Sequence, residues 1–300
     1  MSCPAASAAA IVSLQTIGCP GMDAYLRPLS LDAALAMLAA TPGCQPLAGG
    51  TDVFPARAGA EVWLNRDPRP LLDLSGVAAL AGIGETPAGW RIGALATWAQ
   101  LCATPLPAAF DGLKQAARQV GGAQVQNRGT LVGNLCNASP AADGVPPLLT
   151  LGARVELTGP AGARTLPLAN FLLGNRRTAL GPGELATAIL IPPPAANARS
   201  GFLKLGARSH LVISIAMAAG LFTMEAGIIR DARLAIGACA ATAQRLPLAE
   251  AALLDAPPDP ARLLPGHLAS LTPIDDVRAS AAYRRHAALV LLRRLVERLA

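Results

Sequence analysis

The sequence predicts an α+β chain, with mixed helix and strand regions first and a terminal unit of strands followed by helices last. Three observations carry that prediction. A capped helical stretch after Ser30 runs into a short apolar segment and a glycine pair, "PLAGGTDVFP" at 46–55. A proline-rich break, "PPPAANARSG" at 192–201, divides the chain. Beyond it lie apolar strand-like runs and then an amphipathic C-terminus.

Ser30 precedes "LDAALAMLAA" as an N-cap, Asp32 suits the positive first turn, and Leu31, Leu35 and Leu38 share a face. Pro42-Gly43 stops the run, so the pattern predicts a helix over 31–41. A short strand from Pro46 to Ala48 then enters the glycine turn, with strands expected at 61–65 and 70–74. A second region starts near Ser75-Gly76. In it, 91–101 reads as a strand passing into a helix, 110–120 as a helix ended by Gly121-Gly122, and 152–159 and 183–192 as strands. The apolar run 211–224 reads as one long buried strand or two adjoining ones, and 232–240 as another. In "VRASAAYRRHAALVLLRRLVERLA" the charges line a solvated face, and Leu291, Leu292, Leu295 and Leu299 point inward.

At 300 residues, 52 % apolar and 15 % charged, the composition is globular. The run 211–224 is bounded by His210 and Glu225 and is shorter than the roughly 20 residues of a membrane helix. The net charge of +6 comes from arginines in an alanine-rich chain; only Lys114 and Lys204 are lysines. Aromatics are 3 % of residues, too few for base-stacking platforms, so nucleic-acid binding is disfavoured. Cysteines 3, 19, 44, 102, 136 and 239 include no C-x-x-C pair, which argues against a metal or cluster held by this chain alone and fits a reducing cytoplasm. Residues 1–21 lack a basic start and read as a disordered extension or as the product of an upstream start codon; Met22 looks like the start of the fold.

Two stretches carry chemistry. Ala48-Gly49-Gly50-Thr51 has the makings of an anion nest, with successive amides and a hydroxyl facing one concavity. Asp52 would repel phosphate, so it is read as capping local amides or meeting a sugar hydroxyl. The second stretch, "NRGTLVGNLCNASPAAD" at 127–143, brings Gly129, Thr130, Gly133 and Asn134 together, with Asp143 far enough on to reach a ribose. Two donor loops suit a diphosphate. Neither G-x-x-x-x-G-K-[ST] nor G-x-G-x-x-G is present, so the expectation is a dinucleotide bound without a Rossmann fold.

"LAGGTD", "GTLVGNLCNASPAAD", "FLLGNRRTALGPGEL", "FLKLGARSH", "ARLAIGACAATAQR" and "VRASAAYRRHAALVLLRR" occur in the order found in the medium, FAD-binding subunits of molybdenum hydroxylases, the family of the xanthine dehydrogenase and carbon monoxide dehydrogenase flavoproteins. The resemblance covers the chain from Met22 onward. It implies a two-subdomain FAD-binding fold of the vanillyl-alcohol-oxidase (PCMH) type over 22–194, with subdomains of about 22–75 and 76–194, then a C-terminal α+β domain of the CO dehydrogenase flavoprotein type over 198–300. It implies FAD contacts at Leu47, Ala48, Gly49, Gly50, Thr51, Asp52 and Val53, at Thr130, Leu131, Val132, Gly133 and Asn134, and at Asp143. Val120 falls where relatives place a residue against the cofactor, Ala186 where a backbone contact is expected, and Lys204 where a basic side chain reaches the isoalloxazine side. No residue is assigned a catalytic or metal-ligating role.

Relatives usually read Gly-Gly-Asn where this chain has Val132-Gly133-Asn134, so the resemblance implies either extended backbone at Val132 or a shifted pyrophosphate. Gln126 stands where a basic residue is common. The family's pattern further implies a large molybdopterin-binding partner and a small partner with two [2Fe–2S] clusters, as a heterotrimer or dimer of heterotrimers. Electrons would reach FAD from the clusters and leave for NAD, oxygen, a ferredoxin or a quinone. Two rivals are a flavin-free interaction subunit, motivated by Val132, and a stand-alone FAD oxidoreductase. The second is disfavoured because no His or Cys is read as lying beside the glycine loops. His210, His267 and His286 read as surface or satisfied histidines, Trp63, Trp90 and Trp98 as core or rim aromatics, and Tyr283 to Arg285 as a packing and interface group.

Overall fold

Three sheets and a small hairpin organise the computed structural model, which describes residues 25–59 and 69–300. The expectations for 1–21, for Met22, for a strand at 61–65 and for Trp63 lie outside those residues. The described chain opens with β1 (Tyr25–Leu26), α1 (Leu31–Ala40), β2 (Gln45–Leu47), α2 (Val53–Gly59) and β3 (Leu71–Asp73). β3 is the centre of a parallel sheet in which Leu71 stands opposite both Tyr25 and Gln45. Helix α1 starts where its cap dictates, the Ser30 hydroxyl accepting from the Ala33 amide at 3.2 Å. It buries Ala34, with Leu31, Leu35 and Leu38 half-buried against the core.

The second sheet is antiparallel and runs in the order β4 (Ile83–Thr86), β5 (Gly89–Gly93), β10 (Leu185–Ile191), β6 (Arg154–Gly159), β7 (Gly162–Pro167). Its central strand β10 is apolar but for Thr187, which donates to Glu156, because both of its faces are covered. Between these strands lie α3 (Trp98–Ala103), α4 (Asp111–Ala117), α5 (Ala123–Arg128), α6 (Leu131–Asn137), α7 (Val145–Thr150), α8 (Leu168–Phe171) and the hairpin β8 (Leu172–Gly174) and β9 (Arg177–Thr178). Helix α4 is shorter than the 110–120 the sequence predicts. Gln119 and Val120 bond back to Ala116 and Ala117 in a tighter turn that ends it early.

A third, antiparallel sheet combines β11 (Ala198–Leu205), β12 (Ala216–Glu225), β13 (Ile228–Gly237) and β14 (Gln244–Arg245), followed by α9 (Pro247–Leu253) and α10 (Ala281–Leu299). Two boundaries are corrected here. The break ends at Asn197, since Ala198 already pairs with Thr223. In the run 211–224 only one strand forms, from Ala216, because Leu211 takes a left-handed conformation (φ 50°) and Ser214 turns to another partner. Gly201 and Gly220 face each other across the β11–β12 ladder beneath Leu295 and Leu299 of α10. A Cβ at Gly201 would stand 3.1 Å from Leu295, so glycine lets the helix settle close. Burying each of Leu291, Leu292, Leu295 and Leu299 on this surface stabilises the unit by about 1.5–3 kcal/mol.

The second and third sheet regions meet along α4 and β11. Ser200 accepts from the Gly112 amide at 2.8 Å and donates to the Ala109 carbonyl at 2.7 Å, while the Phe202 amide donates to Gln115 at 2.9 Å. Ala116, Phe202, Met217 and Ala219 close a buried apolar cluster across this seam.

Candidate functional site

Strand β2 delivers the chain to Gly49 and Gly50 before α2 begins at Val53. Gly50 is left-handed (φ 75°), and a Cβ there would meet the Phe54 ring at 2.5 Å. At Gly49 the reason for bare backbone is another segment of this chain: a Cβ would lie 1.9 Å from the Arg128 carbonyl oxygen. The two glycine stretches are therefore in direct contact, and Thr51 Oγ1 faces Gly129. Among the described residues, no protein acceptor takes the amides of Gly49, Gly50 and Thr51.

From Thr130 to Asn137 the second stretch is not a loop, as its glycines suggest, but the cap and body of α6. Thr130, buried, accepts from the Gly133 amide at 3.0 Å through its hydroxyl. Gly133 permits this approach, since a Cβ would sit 2.8 Å from that oxygen. The extended backbone offered for Val132 does not form: the residue lies inside the helix with a buried side chain and no positive φ, so it is unstrained there. Gln126, where a cationic donor was expected, holds the turn beside the cleft by donating to Arg118 and Val120 carbonyls, both at 3.2 Å.

A single cleft of about 680 Å³ collects both stretches. Ala48, Gly49, Gly50, Thr51, Asp52, Val53, Val120, Thr130, Val132, Gly133, Asn134, Asp143, Ala186 and Lys204 line it. Leu47 and Leu131 do not; their side chains are buried in the packing behind it. Ala186 reaches the cleft at a bulge, where the β10–β6 register slips between Ala186 and Ala188. Asn134 places a buried Oδ1 with no partner at the cleft wall.

Asp143 and Lys204, both lining the cleft, are bonded to each other. Lys204 Nζ donates to Asp143 Oδ2 at 2.6 Å, and the Ser214 hydroxyl donates to Oδ1 at 2.7 Å. Each carboxylate oxygen thus accepts one donor from within the protein. Burial pushes the Asp143 carboxyl above the ordinary aspartate value, against the pull of Lys204 and Ser214. Asp52 accepts from Asn137 at 2.9 Å rather than capping local amides. Glu184 also lines the cleft, clasped by Arg164 at 2.6 and 2.7 Å and by the Gly181 amide. Arg164 holds its carboxyl down at about 2.

Cys136 corrects the reading that no cysteine flanks the glycine stretches, for it stands in α6 and lines the cleft. Burial pushes its thiol up to about 12, the wrong state for a nucleophile or base at neutral pH. Lining residues that the sequence reading did not assign to the site include Asn137, Arg176, Glu184, Val212 and Ile213. Among the described residues no group of three or more His, Cys, Asp or Glu could hold a metal ion, and no helix is long and apolar enough to cross a membrane.

The cleft therefore offers successive unpartnered amides, a hydroxyl cap and an orphaned buried amide oxygen between two glycine-bearing segments, which fits a diphosphate-linked cofactor. Residues 18–194 match the family described as FAD binding domain in molybdopterin dehydrogenase, and residues 202–299 the CO dehydrogenase flavoprotein C-terminal domain. The carbon monoxide dehydrogenase medium chain of Afipia carboxidovorans is 34 % identical over 286 residues, covering 93 % of this chain and 97 % of that one. The putative xanthine dehydrogenase FAD-binding subunit of Escherichia coli (strain K12) is 30 % identical over 279 residues, covering 91 % and 94 %. Among solved structures, reconstituted CO dehydrogenase from Oligotropha carboxidovorans superposes with a TM-score of 0.85 at 31 % identity, over 94 % of this chain and 99 % of that one. On this site and these likenesses, the chain belongs to the family of FAD-binding medium subunits of molybdenum hydroxylases, as an oxidoreductase component.

Proposed function

We propose that this chain carries FAD in the cleft and relays electrons through it, from the [2Fe–2S] clusters of a small partner subunit to an external acceptor. A large partner would bind molybdopterin and choose the organic substrate. The observation that carries the reading is the meeting of the two glycine stretches at one cleft, with the amides of Gly49, Gly50 and Thr51 open to an anion. The relatives are named medium chains or FAD-binding subunits, terms for one part of a larger assembly. The proposed division is an FAD-binding unit over 22–194 and a C-terminal unit over 198–300, working in the cytoplasm in a heterotrimer or a dimer of heterotrimers.

Bound flavin supplies the ability to exchange electrons singly or in pairs. In this reading the chain's own residues bind and orient it. Gly49, Gly50 and Thr51 take phosphate oxygens with their amides; Asn134 offers its free amide oxygen to a cofactor donor. Val120 and Ile213 give the cleft apolar surface, and the Asp143–Lys204 pair fixes a cation at its wall. The proposal is tested by the visible spectrum of the purified chain, with chromatography of whatever chromophore denaturation releases. Flavin bands and released FAD support it. A colourless chain that stays colourless after FAD is added overturns it and favours a flavin-free interaction subunit. Turnover of an organic substrate by the isolated chain would overturn the division of labour instead.

A further inference from the structure

Among the described residues, the charged side chains lining the cleft are Asp52, Asp143, Arg176, Glu184 and Lys204. Lys204 is neutralised by Asp143, and Glu184 by Arg164 from outside the cleft. Among the described residues Arg176 makes no ion pair, and its guanidinium donates instead to the amide oxygen of Asn137, whose Nδ2 in turn donates to Asp52 at 2.9 Å. A neutral amide thus stands between the cation and the nearest carboxylate in this chain of bonds. Direct pairing would have spent the charge of Arg176, whereas the interposed Asn137 orients the guanidinium and leaves its charge available.

The backbone supports a side-chain reason for arginine here. Arg176 occupies the turn between β8 and β9 with φ 58°, a conformation that suits glycine and strains other residues. Its amide is pinned to the carbonyl of Ala138, which is itself left-handed (φ 46°) at the end of α6. An arginine is held where glycine would be easier.

We propose that Arg176 is a cofactor-binding residue, its guanidinium contacting the pyrophosphate of FAD beside the first glycine stretch, with Asn137 as its positioning residue. The inference rests on the FAD reading of the cleft and adds the charged donor that the backbone amides alone do not supply. Arginine is suited to the task because its planar fork can hold two phosphate oxygens at once.

The test is titration of the flavin-stripped full chain with FAD, with ADP and with riboflavin, for wild type, Arg176→Met, Arg176→Gly and Asn137→Asp. Arg176→Gly keeps or improves the turn, so it separates the side chain from the fold. The expected result is that both arginine variants bind FAD and ADP about tenfold or more weakly, as for loss of a charge-assisted bond, while riboflavin binding is unchanged. Asn137→Asp, which gives the guanidinium a carboxylate partner, weakens FAD and ADP in the same sense. Arg176→Gly should also unfold at or above the wild-type temperature. Equal FAD and ADP affinity in wild type and both arginine variants overturns the assignment alone. Equal losses for riboflavin and ADP overturn it too, marking Arg176 as structural. A wild-type chain that binds neither FAD nor ADP overturns the flavin reading and this inference with it.

Discussion

Lys204 and Asp143 bond at 2.6 Å across the junction of the third sheet and the segment after α6, with both side chains almost wholly buried. Ser214, at the other end of the 206–213 connection from Lys204, donates to the same carboxylate. One aspartate therefore anchors both ends of that connection at the cleft.

Removing one member of a buried pair leaves the other charge without compensation. Asp143→Ala is expected to cost about 3–5 kcal/mol, and Lys204→Met a similar amount. The double variant should recover much of the loss, because the two effects share one interaction. Urea unfolding of the four proteins measures this; additive losses would show that the pair contributes nothing as a pair.

Gly49→Ala drives a methyl group into the Arg128 carbonyl, a backbone atom with no flexible side chain to yield. The expected outcome is a loss of about 3 kcal/mol in stability together with weaker FAD retention, since the two halves of the cleft are pushed apart. Unfolding midpoints and flavin content per chain report the two effects. Substitution at Gly50 is a less clean probe, as it adds a left-handed strain and a clash with Phe54.

Val132→Gly restores the residue common in relatives and should not improve the protein. Val132 is buried in α6, so glycine removes apolar contact and weakens the helix, together costing about 2 kcal/mol. The flavin affinity is expected to stay level or fall. Tighter FAD binding by this variant would mean that the cofactor needs room at position 132.

Glu184 gives a pH signature. Arg164 and the Gly181 amide lower its carboxyl from the ordinary 4.5 to about 2 in the folded chain. Its folded value lies below its unfolded one, so the stabilisation is complete above 4.5 and fades as pH falls toward 2. Thermal midpoints followed from neutral pH down to about pH 3 should show a component that Glu184→Gln removes. An unchanged acid limb in that variant would assign the transition to other carboxylates.

The order of elements was largely open to inspection in the sequence, because it is written in local chemistry. Ser30 and the glycines after β2 mark their own positions through capping and chain reversal. Less of the site could be read, for its defining relations are long-range. Nothing near Gly49 discloses that the Arg128 carbonyl lies against it. Asp143 and Lys204 are 61 residues apart, and Arg176 and Asn137 are 39 apart, so no spacing rule pairs them. Val132 misled for a related reason: a glycine-bearing stretch looks like a loop until the Thr130 cap turns it into a helix.

The seam between α4 and β11 bears on how such a chain can change over generations. Ser200 is bonded to both Ala109 and Gly112, and Gly112 is packed so near Gly201 that a Cβ would stand 2.9 Å from its carbonyl oxygen. Splitting the chain at the 192–197 break would expose these groups on both fragments and would strip Lys204 from the cleft wall. The two units are thus poor candidates for shuffling as separate modules. A substitution on either side of the seam must be tolerated by the other, so the halves are bound to be inherited together.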